Sequence, residues 1–303
     1  MNFYKKVMML IFVGVMAFAF SACGDQAITE TPEETMTQVL TNLEQVKSMK
    51  SNITTQSDMT TAGSNSNTST ETQVAAIYNP LNMKIESKSS NNNTVVTYVE
   101  ETDGIATTYM EYAGQWMKQS SEPDIILESL RMYDTKQNAI LFLKNATNWQ
   151  ETDGDDTFSV FQGTLPASVL YEVVEDTKSL QMMGMAGLTK EYYAGVTDAT
   201  ITVSVHKQTH TLMDYTVDLS NTLETLMSNV VSTFSNSEEE AALAKTTVNE
   251  YRLIVKCSDV NETKKIEIPK ETLDSAVDFE RQIESSVIVE TPKGENGEDL
   301  AVE

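Results

Sequence analysis

Two histidines, two cysteines, one knot of acids and one methionine-rich stretch are the residues from which chemistry could be built. His206 and His210 stand four apart in Val205-His206-Lys207-Gln208-Thr209-His210-Thr211-Leu212. On a helix that spacing would aim both imidazoles at one metal ion. Here they flank a turn between two β-patterned runs with no cysteine beside them, and a zinc site needs three or four ligands. They read as surface residues. Asp153-Gly154-Asp155-Asp156 lacks the alternate acids and distal Glu of an EF-hand loop, so a Gly-bearing turn before the next strand accounts for it. Cys257 closes the run from Tyr251, where alternation puts it on the face of Tyr251, Leu253 and Val255. It reads as a small buried hydrophobe. Gly-x-Ser-x-Gly, His-Glu-x-x-His and glycine-rich phosphate loops are absent from the sequence, and adjacent acids such as Glu175-Asp176 point apart on a helix. The expectation is a chain that is not an enzyme, with no cofactor and no bound metal.

The run Leu180-Gln181-Met182-Met183-Gly184-Met185-Ala186-Gly187-Leu188 admits two readings. Met182, Met183, Met185 and Leu188 could form a pliable apolar lip over a ligand groove, because thioethers adapt to varied shapes. Alternatively a helix ends there, capped at Gly184 or Gly187, with its methionines packed inward. The expected ligand contacts are placed on these four residues. Tyr98, Tyr109, Tyr112, Trp116 and Trp149 are read as packing residues at least as readily as sugar-stacking ones.

The first 23 residues supply an address. Lys5-Lys6 precede an uncharged run of 14 residues, Val7 to Phe20, whereas a bilayer-spanning helix needs about 20. The pattern is a cleaved signal peptide, residues 1–22. Ser21-Ala22-Cys23 resembles the lipobox of bacterial lipoproteins, with Phe20 where that class usually carries Leu. The resemblance implies a diacylglyceryl group on the Cys23 sulfur, palmitate-type acyl chains, and anchorage to the cell membrane on its extracytoplasmic face. Acylation of Cys23 would leave Cys257 without an internal partner, which excludes a disulfide framework.

Charge narrows the partners. The 303 residues hold 21 Lys and Arg against 45 Asp and Glu, a formal net charge of −24; without Lys5 and Lys6 it is about −26. So acidic a surface repels nucleic acid and anionic headgroups. Nucleic acid is excluded as a partner, and the membrane is reached through acyl chains, of which two hold where one is marginal.

These residues must be positioned by a scaffold. After a tether over 23–31, Thr31, Pro32 and Glu34 form a capping box, and Met36, Val39, Leu40, Leu43 and Val46 make one apolar helical stripe to about Met49. From Ile53 the period becomes two: Ile53–Thr60, Thr72–Asn79, Leu81–Ser89, Thr94–Glu101 and Ile105–Tyr112 read as consecutive antiparallel strands, with Asp103-Gly104 the strongest turn. Helical spacing returns over 124–133 and 136–146. A strand at 158–161, a helix opened by Pro166, and a hairpin of 201–205 with 212–217 follow. Residues 220–246 look like an insertion before the strand 248–257, and a short helix is expected near Leu273. The tail, 290–303, is acidic and expected to be disordered. Residues 32–289 read as one α+β domain.

Asn79-Pro80-Leu81 entering a strand, Gly114-Gln115-Trp116-Met117-Lys118, and the lysine-and-threonine turn between the 201 and 212 strands resemble the lipoprotein-carrier (LolA/LprG-like) fold group, in particular uncharacterised Gram-positive surface lipoproteins. The resemblance implies a curved antiparallel β-sheet, a half-barrel, wrapped around helices and leaving an apolar cavity that holds acyl chains in some members. The expected function is to bind a lipid or other amphipathic envelope ligand in an apolar groove, without enzymatic chemistry. The alternative is a structural or interaction module of the cell envelope, its interior filled by helices and its acidic surface meeting envelope proteins.

Overall fold

Alternating residues become strands when they find a pairing partner, and in the computed structural model twelve strands of the described residues pair in one open sheet, with two of them at its edges. The structure describes residues 30–88, 94–112, 114–237 and 244–279; Cys23 and the 290–303 tail lie outside them. Helix α1 (Pro32–Glu44) leads into β1 (Ser48–Thr61), β2 (Ser64–Tyr78), β3 (Leu81–Lys88), β4 (Thr94–Thr102), β5 (Ile105–Tyr112) and β6 (Gln115–Ser121). Then come α2 (Pro123–Ser129), α3 (Thr135–Asn145), β7 (Thr147–Gly154), β8 (Phe158–Leu165) and α4 (Ala167–Thr177). The chain finishes with β9 (Ala199–His206), β10 (Leu212–Asp218), α5 (Ser220–Phe234), β11 (Thr246–Ser258), α6 (Lys270–Ser275) and β12 (Val277–Asp278).

The strand order β12-β6-β5-β4-β3-β2-β1-β11-β10-β9-β8-β7 is two antiparallel meanders joined at one seam. β1 pairs with β2 along Ser48 to Thr61 and with β11 from Lys50↔Ser258 to Thr61↔Thr246. Where the seam ends, the Thr61 and Thr246 hydroxyls lie 2.8 Å apart although 185 residues separate them. The sheet curves around its helices. Pleating sends alternate side chains to opposite faces. The inner face therefore carries rows such as Ala76–Met83–Val99 and Ile53–Val255–Tyr215–Val203–Phe161, all buried.

The helices close that face. Val39 and Leu43 of α1, Ala139, Phe142 and Leu143 of α3, Leu170, Val173 and Val174 of α4, and Leu223 and Leu226 of α5 join the strand residues in one apolar cluster. Phe142 meets Tyr215 at 6.0 Å between ring centroids. Helix α5 packs on β11, and Asn229 Nδ2 donates to the carbonyls of Tyr192 (2.7 Å) and Ala194 (2.9 Å). This part of the 220–246 segment lies in the core rather than standing off it.

Several boundaries differ from those the sequence predicts, the largest shift being that of β2, which starts at Ser64 rather than Thr72. Helix α1 stops at Glu44, because Met49 pairs opposite Ala76 as a strand residue; long-range ladder bonds outweigh the helical spacing. β7 was invisible, having only Trp149 buried along its length. The strand expected from Ile53 starts five residues earlier, at Ser48.

The chain after β11 runs across the outer face as a strap. Asp259 meets Lys50 at 2.6 Å, and Lys265 meets Glu100 at 3.1 Å. The buried Asn82 amide pegs the strap in both senses, accepting from Ile266 N (2.8 Å) and donating to Ile266 O (3.2 Å). β12 then runs parallel to β6.

One glycine is required by contact. Trp149 of β7 lies flat against Gly163 of β8, where an added Cβ would sit 2.7 Å from the indole. Gly163→Ala is expected to destabilise the fold by about 1–3 kcal/mol through overpacking. A urea melt checks it; an unchanged midpoint would mean the indole moves aside freely.

Candidate ligand crevice

Three chain segments remote in sequence converge at one end of the sheet: the C-terminal turn of α1, the β9–β10 turn, and the turn after β11. Between them lies a crevice of about 240 Å³. Its floor is apolar: Leu43, Val46, Met49 and Leu212, all buried, with Cys257 and Val260. Its rim is amide and hydroxyl: Asn42, Gln45, Thr209, Thr211 and Asn261. A more open hollow of about 410 Å³ continues past Thr211 and Val260 toward His206 and Glu262.

Side-chain amides hold the walls. Asn42 Nδ2 donates to the carbonyls of Thr209 (2.9 Å) and His210 (3.2 Å), pinning α1 to the hairpin. Asn261 Oδ1 accepts from Lys47 N (2.7 Å) while Asn261 N donates to Ser48 O (2.7 Å). Both wall turns need left-handed backbone, at His210 (φ 49°), Asp259 (φ 49°) and Asn261 (φ 61°). Asn, Asp and His are the non-glycine residues that adopt it most readily, and the Asn42 bond to the His210 carbonyl holds that turn in place.

Beneath the crevice a polar cluster seats α3 on the inner face. Ser51 Oγ and Thr135 Oγ1 are 2.7 Å apart, and Asp134 caps the helix by accepting from Gln137 N at 3.1 Å. Lys136 Nζ lies 4.2 Å over the Tyr78 ring and donates to Val46 O. Burial pushes the Cys257 thiol up to about 12, and Asp214 adds to the effect. Such a thiol is protonated and inert at neutral pH. Burial likewise raises the Asp134 carboxyl, against the Gln137 N–H and the charges of Arg131 and Lys136.

The sign of the Asp134 effect follows from linkage. An acid whose pKa is raised on folding stabilises fully below its unfolded value of about 3.9 and loses that contribution as pH rises through the folded value. Asp134→Asn keeps the cap acceptor. It is expected to stay within about 1 kcal/mol of the parent and to gain on it between pH 4.5 and 7. Urea melts at both pH values decide this; a variant that loses ground toward pH 7 would show that the charge itself is needed.

Of the residues singled out from sequence, Cys257 lines the crevice and His206 the hollow beyond it, while the methionine-rich segment falls elsewhere. Helix α4 ends at Thr177, and Lys178 (φ 54°) takes the left-handed turn that sequence placed at Gly184 or Gly187. Leu180 is buried, a 3₁₀ turn spans Gln181–Met183, and Gly184 (φ 69°) closes it. Met183, Met185 and Leu188 are partly buried against the core, and none of them lines the crevice; the Met182 side chain lies outside the described residues. Glu175, read as a solvated charge, accepts from Gly187 N (2.8 Å) and the Tyr193 hydroxyl (3.2 Å) and so ties this segment to α4. Asp155 accepts from the Thr157 and Phe158 amides, which holds its carboxyl below the usual range in an ordinary turn. The backbone of the two histidines closes the hairpin turn, His206 N donating to Thr211 O and His210 N donating to His206 O. Among the described residues no three His, Cys, Asp or Glu side chains are grouped to hold a metal, and no helix is long and apolar enough to cross a membrane.

Sequence reasoning missed the crevice because its lining comes from the end of α1 and from two turns that lie more than 150 residues further along the chain. The one signal was the lysine-and-threonine turn noted for its resemblance, since Thr209 and Thr211 form part of the rim.

No family model matches this sequence, and no curated protein does. Among solved structures it is similar to the Mycobacterium tuberculosis lipoprotein LppX, at 14% identity over 78% of this chain and 98% of that one, with a TM-score of 0.42. It is similar to LprF from Mycobacterium bovis at 11% identity, 78% and 96% coverage, and a TM-score of 0.44. A LolA superfamily protein from Nitrosomonas europaea follows at 8% identity, 80% and 96% coverage, and a TM-score of 0.26.

Proposed function

We propose that this chain is a non-enzymatic binding protein, tethered to the extracytoplasmic face of the cell membrane through acylated Cys23, which takes the apolar end of an amphipathic envelope ligand into the crevice. One observation carries the reading: an apolar floor of Leu43, Val46, Met49 and Leu212 ringed by the uncharged polar groups of Asn42, Gln45, Thr209, Thr211 and Asn261. Such a site desolvates a hydrocarbon end and leaves a polar end at the rim. Its 240 Å³ is below the roughly 300–1,000 Å³ of sites that enclose a whole drug-sized molecule. The ligand is therefore held by one short chain or chain end.

A second reading is supported by the packing of the inner face. The helices fill it with a continuous apolar cluster, as an envelope interaction module with a filled interior would have. Native mass spectrometry of the full chain with lauric acid separates the two. Binding is expected, and Val260→Trp, which fills the partly exposed crevice wall, is expected to weaken it at least about tenfold with the melting temperature nearly unchanged. A chain that carries and takes up no lipid leaves the interaction reading. The anchor has its own test: Cys23→Ser is expected to abolish fatty-acid labelling and release the protein from membranes, and persistent labelling would refute the assignment.

A further inference from the structure

The opposite face of the sheet carries a hollow of about 390 Å³, which has only Cys257 in common with the crevice lining and is lined among others by Lys50, Asn52, Gln73, Ala75, Lys84 and Lys256. Its geometry follows from register. Ala75 of β2 lies directly between Lys50 of β1 and Lys84 of β3. Strands are about 4.8 Å apart, so two ammonium-bearing stems flank a methyl-floored gap about 10 Å wide. One pleat further along, Asn52 stands between Gln73 and Lys256. Three lysines and Glu86 line one hollow of a chain whose net charge is −24, with Asp259 on Lys50, Glu71 on Asn52 and Asp214 opposite Lys256 standing at its edge.

Two further details describe what fits there. Lys256 makes no ion pair among the described residues, whereas Lys50 is held by Asp259 at 2.6 Å and Lys84 by Glu86 at 2.8 Å. Asn52 Nδ2 donates to Glu71 at 2.7 Å, but its Oδ1 is buried without a donor. An unmade bond of this kind costs about 1–3 kcal/mol until a donor arrives. The hollow therefore offers cations for an anion and, beside them, one acceptor for a hydroxyl.

We propose that this outer-face hollow binds a polyol phosphate, the phosphate lying over Ala75 between Lys50, Lys84 and Lys256 and a hydroxyl of the polyol donating to Asn52 Oδ1. Charge-assisted bonds to the phosphate supply the affinity. The hydroxyl supplies selectivity over inorganic phosphate. The chain's overall negative charge opposes long-range capture, so the site accepts a single phosphate group rather than a dense polyanion.

The test is a calorimetric titration of the unacylated Cys23→Ser full chain, at low salt, with glycerol 3-phosphate, inorganic phosphate and glycerol. Glycerol 3-phosphate is expected to bind in the millimolar range, inorganic phosphate several-fold more weakly, and glycerol not at all. Lys84→Gln with Lys256→Gln should weaken glycerol 3-phosphate roughly tenfold, while Lys190→Gln, across the molecule on Glu172, should leave it unchanged. Asn52→Ala should bring glycerol 3-phosphate to the level of inorganic phosphate. No saturation by about 20 mM, or binding indifferent to the double variant, overturns the site; equal binding of inorganic phosphate by the parent overturns the hydroxyl contact. Vesicles of phosphatidylglycerol in phosphatidylcholine separate two sources. Lysine-dependent retention assigns the polyol phosphate to a lipid headgroup, and soluble binding without retention assigns it to a free one.

Discussion

The pairing of β1 with β11 is the constraint on which the rest depends. Each meander is local in sequence and could close its own hairpins, but neither has an inner face that covers itself. The seam brings Ile53 beside Val255 and Ser57 beside Tyr251, so that helices from both halves share one apolar surface. α1 packs on α3 and β7, α5 packs on the seam strand β11, and residues of all four helices join the strands in one apolar cluster. A sheet this wide is stable because its inner face is dry. Exposure along β2 tells the same story. Its first residues, beyond helix cover, are exposed, and burial begins at Thr72 and Val74.

The two faces of that sheet have different chemistry because the pleat makes them independent. Alternation confines Val74, Ala76, Met83 and Ile85 to the inside and leaves Asn52, Gln73, Lys84 and Glu86 outside. The inner side supplies stability and, where α1 ends, an apolar crevice. The outer side is crossed by the strap, whose peg at Asn82 and terminal pairing on β6 leave the lysine hollow beside it. Two chemically unlike recesses on one sheet are thus a product of period-two patterning and of where covering segments stop.

Much of this architecture was legible in the sequence, for reasons that can be named. The strands from Leu81 to Tyr112 alternate cleanly and are punctuated by turn residues, and the helices at 124–146 and 166–174 carry unmistakable apolar stripes. The curved antiparallel sheet around helices was the expected fold class, and the structure has it. β7 escaped notice because one buried tryptophan gives no period. α5 looked like an insertion because Ser, Asn and Thr fill its exposed face, although Leu223 and Leu226 anchor it. The site was the least legible part. Flexible thioethers drew attention to 182–188, yet that segment is tied down by Glu175 and packs on the core. Crevice and hollow alike are assembled by strand register, a long-range property that no local pattern encodes.

The crevice walls belong to α1, to a hairpin of the second meander and to the turn that follows β11. None of these meets another in the unfolded chain, so the cavity comes into being only together with the native topology. Whatever occupies it has affinity for the folded ensemble alone and must shift the folding equilibrium by mass action. Occupancy and thermodynamic stability in this chain are accordingly one coupled quantity, and the empty and filled forms should differ in how often they open.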